Sequence, residues 1–233
     1  MTMPRRRPGR PRRDEARQTR ETILAAATPL FAERGFDAVA LREVAAVAGV
    51  DVATVAHHCG TKAELYDCCF ARVFAAEREV LERAAASAAA AVGAGPERAL
   101  AALHELVDVF VDFLEDRPET TGLWLRRWLE PHRHAELDER YATPLYRLVE
   151  ELLTAAAAAG VLVEPAPHIT VRSLVWAAHG HVVALAAGGA GASGARTAGA
   201  AGSPDQRASG ARERREFRAF VHRFLDAMYR PAG

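Results

Sequence analysis

The chain has 233 residues, half of them hydrophobic, with abundant alanine and only 7% aromatic residues. That is enough to bury a sizeable core, as one large domain or as a small domain joined to a larger one. Long runs of Val, Ile, Thr and Tyr are missing, so helices are favoured over sheets. The odd count of three cysteines, Cys59, Cys68 and Cys69, excludes a disulfide framework. The N-terminal arginines have no apolar stretch behind them, so no signal peptide is expected. No apolar run approaches the ~20 residues that cross a bilayer, and a cytoplasmic protein is the default expectation.

The formal net charge is zero, but its distribution is uneven. Residues 1–62 carry eleven basic and seven acidic side chains, and residues 63–233 carry nineteen and twenty-three. A basic segment attached to an acidic body is the charge signature of a chain that meets a polyanion at one end. Lys62 is the only lysine.

In chain order, residues 1–13 hold six arginines, three prolines and no acid, and read as part of a disordered basic arm over 1–15. Ile23, Leu24, Ala27, Leu30 and Phe31 recur at helical spacing and predict a first helix over 17–34, stopped by Gly35. A short helix follows over 41–48, with Leu41, Val44, Ala45 and Ala48 as its apolar positions. Gly49 ends it, because glycine takes the left-handed conformation a sharp turn needs. Val50 is expected to be buried in the elbow. Asp51 is a good N-cap for a third helix over 52–58. Two short helices around a glycine turn form the helix-turn-helix pattern, which sets the second helix into the DNA major groove. Gly60 ends the third helix, and Thr61 caps a fourth.

The pattern then stays helical, over 62–90, 96–116, 119–130, 135–159, 167–187 and 212–229. Gly, Ala and Ser dominate the segment between the last two, so 188–211 reads as a flexible loop. Phe217, Phe220, Val221, Phe224, Leu225 and Met228 make the last helix strongly amphipathic.

A recognition helix needs small or polar residues on its outer face. Val52, Ala53, Thr54, Ala56, His57 and His58 fit, with Val55 facing inward. Thr54 and Lys62 suit phosphate, the latter at a helix N-terminus.

Several runs together resemble the TetR family of transcriptional regulators. They are Ile23 to Ala27, Leu30-Phe31-Ala32-Glu33-Arg34-Gly35-Phe36, Leu41 to Ala45, Ala48-Gly49-Val50, Thr54-Val55, His57-His58 and Thr61-Lys62-Ala63-Glu64-Leu65, within about residues 20–66. The resemblance implies an all-α chain of about nine helices. A three-helix helix-turn-helix domain at 16–62 would be followed by a larger helical ligand-binding and dimerisation domain at 63–233. It implies that Arg42, Val52, Ala53 and His57 touch bases. Thr54, His58 and Lys62 hold the backbone, with Thr61 beside them. Three positions depart from the family pattern: Ala40 stands where Ser or Thr caps the second helix, Ala56 where Tyr is usual, and Cys59 where Phe is frequent. Val52 is apolar where a polar base reader is common, and suits a thymine methyl.

In the arm, Gly9-Arg10-Pro11 looks like an AT-hook core lacking its first arginine. Arg7, Arg10 and Arg12 are the candidates for a narrow A·T-rich minor groove. A tail that holds phosphate without sequence preference, or serves solubility, is the competing reading.

In the body, Trp176-Ala177-Ala178-His179-Gly180 looks like a Trp-x-x-His-Gly motif of one group of such C-terminal domains. Trp176, His179, Phe110, Phe113, Trp124 and Trp128 are candidates for an apolar effector pocket, and ordinary core packing is the bland alternative. A palindromic operator needs a two-fold protein. Gly180, Ala184, Phe217, Phe220, Phe224 and Met228 are therefore candidates for a homodimer face, although the phenylalanine stripe also suits the monomer core. No zinc spacing, nucleophile elbow or phosphate loop is present, so no metal, cofactor or catalytic residue is expected. The reading is a cytoplasmic, ligand-responsive repressor, nucleoid-associated when bound. Its partners are double-stranded DNA, a second copy and a small effector, with no membrane. The alternative is an architectural DNA-binding protein of low sequence specificity.

Overall fold

A computed structural model of the chain describes residues 11–129, 135–163, 166–190 and 204–228. Among the described residues nine α-helices carry the fold: α1 Pro11–Ala38, α2 Leu41–Ala48, α3 Val52–Cys59, α4 Lys62–Val92, α5 Pro96–Asp116, α6 Pro118–Leu129, α7 Thr143–Ala158, α8 Pro167–Ala190 and α9 Pro204–Met228. A π-helical turn, Asp138–Ala142, leads into α7.

Three boundaries differ from expectation. α1 starts at Pro11, inside the stretch read as a disordered arm, so Arg12 lies in a helical first turn. Proline is pre-set for that first position, and Asp14 complements the helix dipole there. Arg7 and Arg10 lie outside the described residues. The Gly/Ala-rich loop is shorter than 188–211 at both ends, because α8 runs to Ala190 and α9 starts at Pro204. Pro204 and Asp205 make a good helix start, and Arg212 pairs with Glu216 one turn on, at 2.7 Å. Finally, Gly35 (φ 78°, ψ 176°) breaks α1 where expected, but helical hydrogen bonding resumes to Ala38.

The chain divides into two units. The first comprises Met1–Val73 and Gly122–Arg133, the second Phe74–Thr121 and His134–Gly233. α4 and α6 each pass from one to the other. The first unit therefore takes in the start of α4 and most of α6, which the sequence assigns to the regulatory body.

In the first unit, Ile23, Leu24, Ala27 and Phe31 of α1 are buried with Val44 of α2, Val55 of α3, and Leu65, Tyr66 and Phe70 of α4. Tyr66 meets Phe31, Phe36 and Phe70 edge-on, at ring separations of 4.9, 5.2 and 5.0 Å. Such pairs contribute beyond the area they bury. Cys59 and Cys69 are buried too, and burial pushes the Cys69 thiol up to about 12. These thiols pack as small apolar side chains. α6 lies close on α1: a Cβ at Gly122 would stand 2.8 Å from that of Ala32, so the approach needs glycine. Arg126 then donates to the Glu33 carbonyl, at 2.8 Å.

The second unit buries Leu103, Leu106, Phe110 and Leu114 of α5, Leu145, Leu152 and Leu153 of α7, Val171 and Val182 of α8, and Val221 and Leu225 of α9. Charge lines the seam between α5 and α9. Arg214 pairs with Glu115 at 2.8 Å, His222 with Asp108 at 3.0 Å, and Arg218 with Asp112. Residues Pro167–Ala187 of α8 are long and apolar enough to cross a membrane by length and composition, against the expectation that no apolar run approaches that length. Within this unit the helix buries the polar side chains of Thr170, His179 and His181, and both histidines are hydrogen-bonded to a neighbouring helix.

Candidate nucleic-acid interface

The turn between α2 and α3 is built by backbone geometry. Gly49 sits in the left-handed region (φ 69°, ψ 29°), and the Val50 N–H reaches back to the Ala45 carbonyl at 3.0 Å. This six-residue closure satisfies a helix-end acceptor and turns the chain sharply. Val50 is half-buried rather than fully enclosed.

Three carboxylates fix the helix starts. The Thr54 N–H donates to Asp51 Oδ1 at 2.6 Å, the N-cap that the sequence predicts. That bond, with the Thr54 hydroxyl as a second donor, holds the Asp51 carboxyl below the usual carboxylate range. At α4, the Thr61 N–H donates to Glu64 Oε2 at 2.7 Å and the Glu64 N–H to Thr61 Oγ1 at 3.3 Å, a reciprocal capping box. Glu64 is acidified by the Thr61 N–H first and its hydroxyl second. At α2, Ala40 cannot cap with its side chain. Half of the box survives, because the Ala40 N–H donates to Glu43 Oε2 at 2.8 Å. That N–H, and then Arg34 at 2.9 Å, lowers Glu43. The family-unlike Ala40 therefore leaves the start of α2 anchored from the other side.

With the caps in place, α3 buries Val55 and Cys59 and turns Val52, Ala53, Ala56 and His57 outward. Arg42 of α2 and Thr61 are exposed, and Thr54, His58 and Lys62 are half-buried. Lys62 is partly engaged, since its Nζ donates to the Asp37 carbonyl at 3.3 Å and lies 4.6 Å from the Phe36 ring centre. Val47, which the sequence reading does not single out, is strongly exposed on α2. Its place next to the turn was the available signal.

The effector candidates separate. Trp124 and Trp128 belong to the first unit, where the Arg127 guanidinium lies 3.8 Å from the Trp124 ring centre and 5.3 Å from that of Trp128. Phe110, Phe113 and His179 are buried in the second. His179 Nδ1 bonds Thr121 Oγ1 at 2.9 Å, with Phe110 edge-on at 6.0 Å. Trp176 is exposed on α8.

The dimer candidates Gly180, Ala184, Phe220 and Phe224 are also exposed, Phe217 and Met228 half so. Phe217 stacks on His181 at 4.1 Å, and His181 in turn bonds Glu115 at 3.1 Å. That buried link between α8 and α5 was not legible from spacing.

Residues 23–68 match the sequence model for bacterial regulatory proteins of the tetR family. A comparison with curated proteins returns no match. Among solved structures, the ketosteroid transcriptional regulator KstR2 of Mycobacterium tuberculosis superposes with a TM-score of 0.62 at 16% identity, covering 91% of this chain and 95% of its own. HlyIIR, a hemolysin II transcriptional regulator, gives 0.54 at 22% identity, over 70% and 87%. A transcriptional regulator from Aquifex aeolicus VF5 gives 0.57 at 15% identity, over 87% and 97%. The capped helix-turn-helix thus lies in the N-terminal module of the tetR family, on a chain with the fold of TetR-family transcriptional regulators.

Proposed function

We propose that this DNA-binding regulator is a ligand-responsive repressor that holds a palindromic operator as a homodimer. The observation that carries the reading is α3: a helix capped at its start and anchored by Val55 and Cys59, whose outer face stays exposed. A two-fold protein is supported by α8 and α9, where Trp176 is 47% and Phe220 51% exposed, with Val183 and Phe224 beside them in the sequence pattern. No neighbouring atom lies within 4 Å of a Cβ built at Gly180, which leaves room for a helix to approach.

Effector response rests on the surroundings of His179 in the second unit. Thr121, its hydrogen-bond partner, is the last residue of α6 in that unit, and the next residue, Gly122, packs on Ala32 of α1. A ligand that favours a different placement of Thr121 shifts α6 along its own axis and selects a conformer with weaker operator affinity. Regulation, not catalysis, is the role assigned, and a cytoplasmic location fits it.

Selecting bound fragments from the source genome tests the reading. A palindrome with two arms about one helical turn apart is the expected result. Enrichment without any shared sequence would favour an architectural protein instead.

A further inference from the structure

The exposed face of α3 bears almost no hydrogen-bonding chemistry. At 3.6 residues per turn, Val52, Ala56, Ala53 and His57 follow one another across about 140° of the helix surface. All four are exposed, with Val52 at 44%. None is an Arg, Lys, Asn, Gln, Asp or Glu, the side chains that read guanine, adenine or cytosine by hydrogen bonds. The nearest carboxylate in sequence, Asp51, is the N-cap, bonded at Oδ1 by the Thr54 N–H, and precedes the four outward positions. Thr54 is half-buried at the edge of the face. The group in the major groove that small apolar side chains can recognise is the C5-methyl of thymine.

We infer that α3 reads thymine by its methyl group, with Val52, Ala53 and Ala56 as the specificity-determining surface and His57 as its polar edge. The inference rests on the DNA-binding reading above and assigns the chemistry of the bases beneath the helix. Small side chains also bring the helix backbone close to the groove floor, so each methyl is taken out of water against Cβ and Cγ atoms. Burying one methyl corresponds to about fourfold in affinity. Several T·A pairs are therefore needed for useful selectivity, and the site is T-rich where α3 lies.

Two selections with the full-length protein test this. One uses a random duplex library made with thymine, the other the same library made with deoxyuridine, which keeps pairing and O4 and lacks only the methyl. The expected outcome is a thymine-containing consensus from the first library that is weakened or lost in the second. On the selected site, single thymine-to-deoxyuridine changes cost about fourfold at two or more positions. Val52→Ala, at an exposed site where alanine keeps the helix, removes the Cγ contacts and reduces the difference at one of them. A consensus that binds equally well with deoxyuridine, or a V52A protein whose discrimination is undiminished at every position, overturns methyl reading and leaves DNA recognition standing. No consensus from the thymine library overturns sequence recognition itself, and methyl reading with it.

Discussion

Asp51, Glu43 and Glu64 each accept a backbone N–H at a helix start and are more acidic than free side chains for that reason. Depressed carboxylates stabilise fully above their ordinary range of about 4, and that contribution is lost as pH falls through the lower folded-state values. Asp51→Ala should therefore lower the thermal midpoint at pH 7 by about 2–4 °C, with the gap to wild type closing as pH falls below the ordinary carboxylate range. Circular dichroism melts across pH would show it, and a gap that widens on acidification would contradict the capping account. The proposed interface gives His57 a base contact and Lys62 a backbone contact. His57→Ala should weaken the selected site by about 1–3 kcal/mol and leave random DNA unaffected. Lys62→Ala should weaken both equally and reduce the log–log salt slope by about 0.9. Anisotropy titrations at several salt concentrations separate the two patterns.

At the scale of elements, the joint between α6 and α1 is a close backbone approach that only glycine permits. Gly122→Ala places a methyl 2.8 Å from the Ala32 Cβ, and the fold must yield at a cost of about 1–3 kcal/mol. Urea unfolding at the joint should report that loss. The short helices were legible because their punctuation is local: Gly49, Asp51 and Thr61 act on residues within one turn. The joint was not legible, because Gly122 and Ala32 lie far apart in sequence and a helical glycine carries no periodic signal. The helical start at Pro11 and the early start of α9 were missed for another reason. Arginine-rich and alanine-rich composition points to disorder, while proline at a first turn and Arg–Glu spacing favour a helix locally. Of the interface, the outward residues of α3 followed from periodicity. The partners of Lys62 did not, since a carbonyl at Asp37 and the Phe36 ring are brought to it only by the fold.

For the whole molecule, the proposed regulation rests on two copies meeting one operator. Replacing Phe220 and Phe224 together by Asp puts charge on the exposed face of α9, and sedimentation should then give a monomer with near-native helicity. A dimer that persists would move the interface elsewhere. Removing residues 1–10, which carry four arginines, should lower the salt slope further; an unchanged slope would leave the arm no part in binding. The central claim, that α3 recognises a defined DNA sequence, is tested most directly by one ratio: the dissociation constant on a scrambled duplex over that on the selected site, at physiological salt. The account predicts a ratio of about 10³ or more. A ratio near one would contradict it.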